Sequence, residues 1–233
     1  MSAQVKLFLL GPFRAERAGE PLTAFKSEKV RALLAYLAIE QETAHHRDVL
    51  AGLLWPQSSG ALALLRDVLS NLRLILGDRD AATPIIQVRR DTLQLNPSAL
   101  KQDTLWLDVA AFSQAIEGAS HEAELERAVA LYRGEFLEGF ALAKSPDFET
   151  WILLQREIFQ RQVLDALYHL TTLYLQHGDY TAAQTSARRQ LALDTYNEEA
   201  NRQLMRALAF AGQRNQALAH YDDYRAMLDA RLG

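Results

Sequence analysis

Two glycines 34 residues apart, Gly178 and Gly212, set the tightest constraint on how this chain can fold. The correspondence extends on both sides of them. Leu170, Tyr174, Gly178, Tyr180, Ala183 and Ala187 align with Leu204, Leu208, Gly212, Arg214, Ala217 and Tyr221. A repeat of this length is a pair of helices, with glycine at the turn and alanine where the helices touch. One such pair cannot bury its apolar face alone, so neighbouring helices must stack on it. Two clear repeats are fewer than a stack needs, and the helices expected over 108–117, 122–132 and 147–175 are read as completing it.

Before about Asp103 the pattern is different. Val5 to Leu10 and Phe13 to Ala18 read as strands, with Gly11-Pro12 and Gly19-Glu20-Pro21 as turns. Ser27 and Glu28 open a helix to about Glu40, its stripe carried by Val30, Leu33, Leu34 and Leu37. A second helix runs from Arg47 to Trp55 and is stopped by Pro56; a third runs from Gly60 to Leu76. In the third, Leu65, Leu69, Leu72 and Leu76 share one face while Arg66, Ser70 and Arg73 share another. A helix with a core face and a guanidinium-bearing face, placed after a short helix and a turn, is laid out to enter a DNA major groove. The run IIQVRRDTLQL that follows Pro84 reads as a hairpin with Arg89, Arg90 and Asp91 at its tip. Strands, three helices and a closing hairpin make a winged helix with the hairpin as wing. The expected fold is therefore mainly α with a small β component: a winged helix-turn-helix over 1–97, then an all-α helical domain over 98–233 of tetratricopeptide character.

Candidate DNA-binding residues are Arg66, Ser70 and Arg73 on the third helix, with Asn71 bordering them, and Arg89 and Arg90 on the wing. A guanidinium on the wing suits a narrow, electronegative minor groove. Arg47, at the start of the second helix, is placed to touch a phosphate. Each of these arginines also has a plainer reading as a solvated charge, because an amphipathic helix or a loop tip needs polar residues somewhere. The net charge of -4 is unevenly spread. Residues 1–100 carry 12 basic and 10 acidic side chains, giving +2, and residues 101–233 carry 13 and 19, giving -6. Phosphate contacts supply most of the attraction to DNA, so one copy should bind modestly.

Other chemistry finds little support. The 233 residues contain no cysteine, which excludes disulfides and thiolate metal sites. His45-His46 lacks a third ligand nearby and reads as a solvated turn. His121-Glu122 begins like a zinc-protease motif, but Leu125 stands where the second histidine is needed. No nucleophile elbow, phosphate-binding loop or dinucleotide fingerprint is present, so neither an enzyme nor a cofactor or metal site is expected. Trp55, Trp106 and Trp151 read as packing residues. No apolar run reaches the roughly 18 residues of a membrane span, and VKLFLLGPF is too short for a signal core, which points to the cytoplasm.

Taken in order, LLGPFRAERAGEPL, KVRALLAYLAIE, RDVLAGLLWP, LRDVLSNLRLILGD, WLDVAAF, ALYRGEFLEGF, FETWILLQRE and the repeat ending at Tyr221 resemble the SARP-type bacterial regulators. These join an OmpR/PhoB-like winged helix to a bacterial transcriptional activator domain. The resemblance covers nearly the whole length. It implies a transcription regulator, in its usual form an activator, that binds tandem sites on double-stranded DNA as a homodimer and contacts RNA polymerase. The chain departs from the family pattern at Ala63, Asp67 and Leu74, which share the exposed side of the third helix, and in lacking a glycine near the wing tip. Two other readings stay open: an interaction scaffold whose winged helix does not bind DNA, and a ligand-sensing module. The last repeat helix ends near Gly233 without a capping helix, so either a longer chain or a second copy is expected to cover it.

Overall fold

The computed structural model describes residues 4–79, 81–119 and 121–232, so the ends of both expected domains, Met1–Ala3 and Gly233, lie outside it. The expected fold class holds: strands are confined to the first part of the chain and helices fill the rest. Contacts divide the chain into two compact units, one of residues 1–111 with 133–157 and the other of 112–132 with 158–233.

The first unit opens with β1 (Val5–Phe8), β2 (Arg14–Arg17) and β3 (Glu20–Pro21), paired antiparallel in sequence. Then come α1 (Glu28–Ile39), β4 (His45–His46), α2 (Arg47–Leu54), α3 (Ala61–Leu76) and the hairpin of β5 (Ile86–Val88) and β6 (Thr92–Leu95). Leucine spacing explains the packing of the three helices. Leu33, Leu37, Leu50, Leu54, Leu65 and Leu72 are essentially inaccessible and make one shared core. His45-His46, expected as a solvated turn, instead forms a strand that pairs with Leu93 and Thr92. That third strand anchors the wing to the start of α2.

After a short helix, α4 (Pro97–Lys101), the chain returns to the first sheet. There β7 (Leu105–Leu107) lies parallel to β1, with Val5 opposite Leu105, and gives the strand order β3-β2-β1-β7. The first sheet is thus completed by a strand that lies beyond residue 97. Asp108 then locks the arrangement. It is fully buried, and its carboxylate accepts from the backbone N–H of Leu9 at 2.8 Å and of Leu10 at 3.0 Å, with the Arg133 guanidinium at 3.1 Å. Burial pushes this carboxyl above its ordinary range against the pull of those hydrogen bonds. Asp108 also begins α5 (Asp108–Glu117), and α7 (Pro146–His177) follows further on; each contributes residues to both units. Trp151 of α7 packs against Tyr36, Phe136 and Phe148, and its Nε1–H donates to Glu40 at 2.9 Å, so it is a packing residue as expected.

The second unit contains α6 (Glu122–Leu131), the later part of α7, α8 (Tyr180–Leu193), α9 (Glu198–Phe210) and α10 (Arg214–Leu232). The 34-residue repeat is visible in the backbone. Gly178 and Gly212 have φ of 78° and 77°, a left-handed conformation that a side chain would strain. Past each, the next N–H reaches back five residues, Asp179 to the Tyr174 carbonyl and Gln213 to that of Leu208, both at 2.9 Å. Ala183 and Ala187, fully buried, let the helices approach closely. The core here is unusually polar. Thr171 donates to Ser186 at 2.8 Å, Gln190 donates to Thr171 at 2.9 Å and to Gln203 at 3.0 Å, and Gln203 donates to Thr172 at 3.0 Å. Among the described residues, no helix is long and apolar enough to cross a membrane.

Candidate nucleic-acid interface

The outer face of α3 carries Arg66, Asp67, Ser70 and Leu74, all exposed, while Leu65, Val68, Leu69 and Leu72 turn inward. This is the division that the seven-residue spacing of Leu-Arg pairs requires. Arg73 sits between the two faces, half-buried, beside the carboxylate of Asp78. Around Ser70 the surface sinks into a cleft of about 270 Å³ lined by Arg47, Arg66, Leu69, Ser70, Arg73, Arg79 and Val88. Four arginines from three segments thus line one concavity. Such a cluster attracts anions, and its charge is focused by the cleft walls.

The geometry of the cleft is fixed by short-range bonds. Helix α3 stops at Gly77, where the N–H of Asp78 donates back to the Arg73 carbonyl at 2.9 Å. Asp78 is only 2% exposed, and its two oxygens accept from the N–H groups of Ile85 and Ile86, each at 2.7 Å. Burial pushes its carboxyl upward, and the backbone donors together with Arg73 and Arg17 pull against that shift. The end of α3 and the start of the β5–β6 hairpin are thereby tied into one corner. At the wing tip, the Arg89 N–H closes the turn on the Thr92 carbonyl at 3.0 Å. Arg47 braces this tip twice. Its backbone N–H donates to the Asp91 carbonyl at 3.0 Å, and its guanidinium donates to that of Arg89 at 3.1 Å.

Of the residues singled out in the sequence, Arg66, Ser70, Arg73 and Arg47 come together in the cleft. Arg89 and Arg90 are exposed at the tip of the wing. Asn71 does not belong with them. It is 6% exposed, its Oδ1 accepts from the Lys26 N–H at 3.0 Å, and its Nδ2 reaches the Ala24 carbonyl at 3.4 Å. It ties the segment before α1 to the inner side of α3, because the helical period turns position 71 toward the core. Arg79 escaped the sequence reading. It follows the helix stop, and only the turn at Gly77 brings its guanidinium back to within 3.0 Å of the Ser70 hydroxyl. A glycine stop followed by Asp and Arg was the available signal.

Residues 107–233 match the bacterial transcriptional activator domain, more than half of the chain. The chain belongs to that family. Over 98% of its length it is 28% identical to the regulatory protein AfsR of Streptomyces griseus, and over its whole length 29% identical to AfsR of Streptomyces coelicolor. It spans 23% of the length of each of these curated relatives. The fold is similar to that of EmbR from Mycobacterium tuberculosis, solved in complex with a low-affinity phosphopeptide. The TM-score is 0.77 at 22% identity, covering 99% of this chain and 61% of EmbR. The family membership, the AfsR relatives and the EmbR-like fold bear out the resemblance to SARP-type regulators read from the sequence.

Proposed function

We propose that the chain is a DNA-binding transcription regulator whose α3 enters the major groove while the wing follows the adjacent minor groove. The observation that carries this reading is the convergence of Arg47, Arg66, Arg73 and Arg79 on one cleft beside the exposed face of α3. Arg66 and Arg73 are assigned to base edges or flanking phosphates, Ser70 to a phosphate or base edge, and Arg89 and Arg90 to the minor groove. Arg47 and Arg79 hold the wing tip and the α3 surface in register and add positive charge. Binding as a homodimer on tandem sites, in an activator that contacts RNA polymerase, is the extension of this reading that family membership supports. The second unit offers a surface for the second copy, since Phe210, Leu218 and Tyr221 are 55%, 54% and 49% exposed. Two weakly charged winged helices on adjacent half-sites then add their binding free energies.

Selection from a random duplex pool with purified protein tests the proposal. Enrichment of a tandem motif, bound with a stoichiometry of two, is the expected result. Failure to enrich any motif, with folded protein, would remove sequence-specific binding. A second reading, an interaction scaffold, is favoured by Leu62, Leu64 and Leu74, which are 48%, 40% and 59% exposed on α3. It predicts binding of protein through α3 and none of duplex DNA.

A further inference from the structure

We infer that the groove between α6 and α8 in the second unit binds a short extended peptide segment bearing a basic side chain at one end and an acidic one at the other. The groove encloses about 500 Å³, and Leu167, Leu170 and Tyr174 of α7 make its floor. Its apolar surface is what an extended segment with apolar side chains would cover.

The two ends of the groove carry opposite charge. Asp179 stands at one end, at the start of α8, and Glu126 lines the α6 wall beside Tyr174. Glu126 accepts from the Tyr174 hydroxyl at 2.5 Å, and Asp179 accepts from the Ala182 N–H at 2.9 Å as it caps α8. Neither carboxylate has an ion pair among the described residues, and the third nearby acid, Glu122, is engaged by His177 at 2.8 Å. The ring of Tyr174 adds a face on which a cation can rest. At the other end stands Arg189. Its Nη2 donates to the carbonyls of Val129 at 2.7 Å and Tyr132 at 2.5 Å, which leaves a half-buried guanidinium whose charge no carboxylate balances among the described residues.

The spacing selects the ligand. Asp179 and Arg189 are ten residues apart along α8, or about 15 Å at helical rise. An extended chain advances about 3.3 Å per residue, with alternate side chains on one side. Side chains at i, i+2 and i+4 then place a cation, an apolar group and a carboxylate along the groove, about 13 Å from first to last. The floor is also linked to the interior, because Ser186 both lines the groove and bonds to Thr171 in the buried polar network. This inference is independent of DNA binding by the first unit.

The test uses the full chain and blocked, fluorescein-labelled pentapeptides followed by anisotropy. Lys-Leu-Val-Leu-Asp should bind at least about tenfold more tightly than Lys-Leu-Val-Leu-Lys, Asp-Leu-Val-Leu-Asp or Lys-Gly-Ser-Gly-Asp. Glu126→Gln should cut the affinity of the first peptide by about tenfold or more, with an unchanged unfolding midpoint. Arg189→Gln should do likewise, but it also removes two backbone contacts. Ala130→Trp therefore serves as the second variant: it fills the groove from an exposed position and should abolish binding in a folded protein. No binding of any of the four peptides, equal binding of all four, or binding indifferent to Glu126→Gln and Ala130→Trp would each overturn the inference.

Discussion

The guanidinium of Arg79 donates to the hydroxyl of Ser70 at 3.0 Å across nine residues of sequence. The turn at Gly77 brings the chain after α3 back along the helix, and this bond adds a positive charge to the face that the helix alone equips with Arg66 and Arg73. Arg79→Ala should weaken duplex binding and reduce the salt slope of log affinity by about 1, without changing the preferred sequence. Titration of the selected duplex at several salt concentrations checks this; an altered motif would make Arg79 a base reader.

Arg66→Ala combined with Arg73→Ala should abolish specific binding. Each good bidentate base contact is worth about 1–3 kcal/mol of discrimination. Arg66 is exposed and Arg73 half-buried, so the fold should persist. A double mutant that shifts the selected duplex with wild-type affinity would take α3 out of recognition.

Leu69→Asp, one residue from Ser70 and 6% exposed, should have the opposite profile. It places an unpaired charge in the core shared by α1, α2 and α3, which costs far more than a lost contact. Circular dichroism and thermal unfolding should show loss of the first unit's cooperative transition. An unchanged melting curve would mean the inward face is wrongly assigned.

Asp78→Ala should loosen the wing rather than the helix. It strands the N–H groups of Ile85 and Ile86, residues that are 2% and 1% exposed. Each unsatisfied buried donor costs about 1–3 kcal/mol. Urea unfolding should report that loss, and hydrogen exchange should show the β5–β6 hairpin opening first. Protection of Ile85 and Ile86 at wild-type level would refute the corner.

His220 supplies a pH dependence. Burial holds its imidazole below the ordinary 6.5, opposed by Asp223 and reinforced by Arg188, while its Nε2 shares a 2.9 Å bond with Asn201 Oδ1. The unfolded chain takes up this proton more readily than the folded one, so the contribution is complete above pH 6.5 and is lost as the pH falls through the lowered value. His220→Gln should flatten the decline in urea midpoint over that window relative to wild type. Parallel curves for the two proteins would remove His220 as the cause.

Local periodicity carried much of this molecule. The leucine stripe placed α3, the turn residues placed the wing tip at Arg89 to Asp91, and Gly178 and Gly212 placed the repeat. What periodicity cannot carry is pairing between distant segments. Nothing local distinguishes Leu105 to Leu107 as the fourth strand of the first sheet, since its partner Val5 is a hundred residues away. His45-His46 became a strand because Thr92 and Leu93 were available to pair with it, a fact held in neither segment alone. Asn71, read as bordering the exposed face because it lies off the Arg66–Arg73 line, is turned fully inward, where the backbone at Ala24 and Lys26 satisfies it, partners that no local pattern in α3 reveals. Arg79 was missed because its role depends on a reversal of direction that the glycine permits but does not announce.

The parallel pairing of β1 with β7 has a consequence in time. A ribosome delivers β1 first, and at about 5–20 residues per second its partner strand emerges some 5–20 s later. Throughout that interval one edge of the nascent sheet is an open row of backbone donors and acceptors, available to any passing strand. Asp108, which seals Leu9 and Leu10, arrives immediately after β7. The first unit is thus an object that its own synthesis finishes late, and a chain cut at residue 97 would be held permanently in that waiting state.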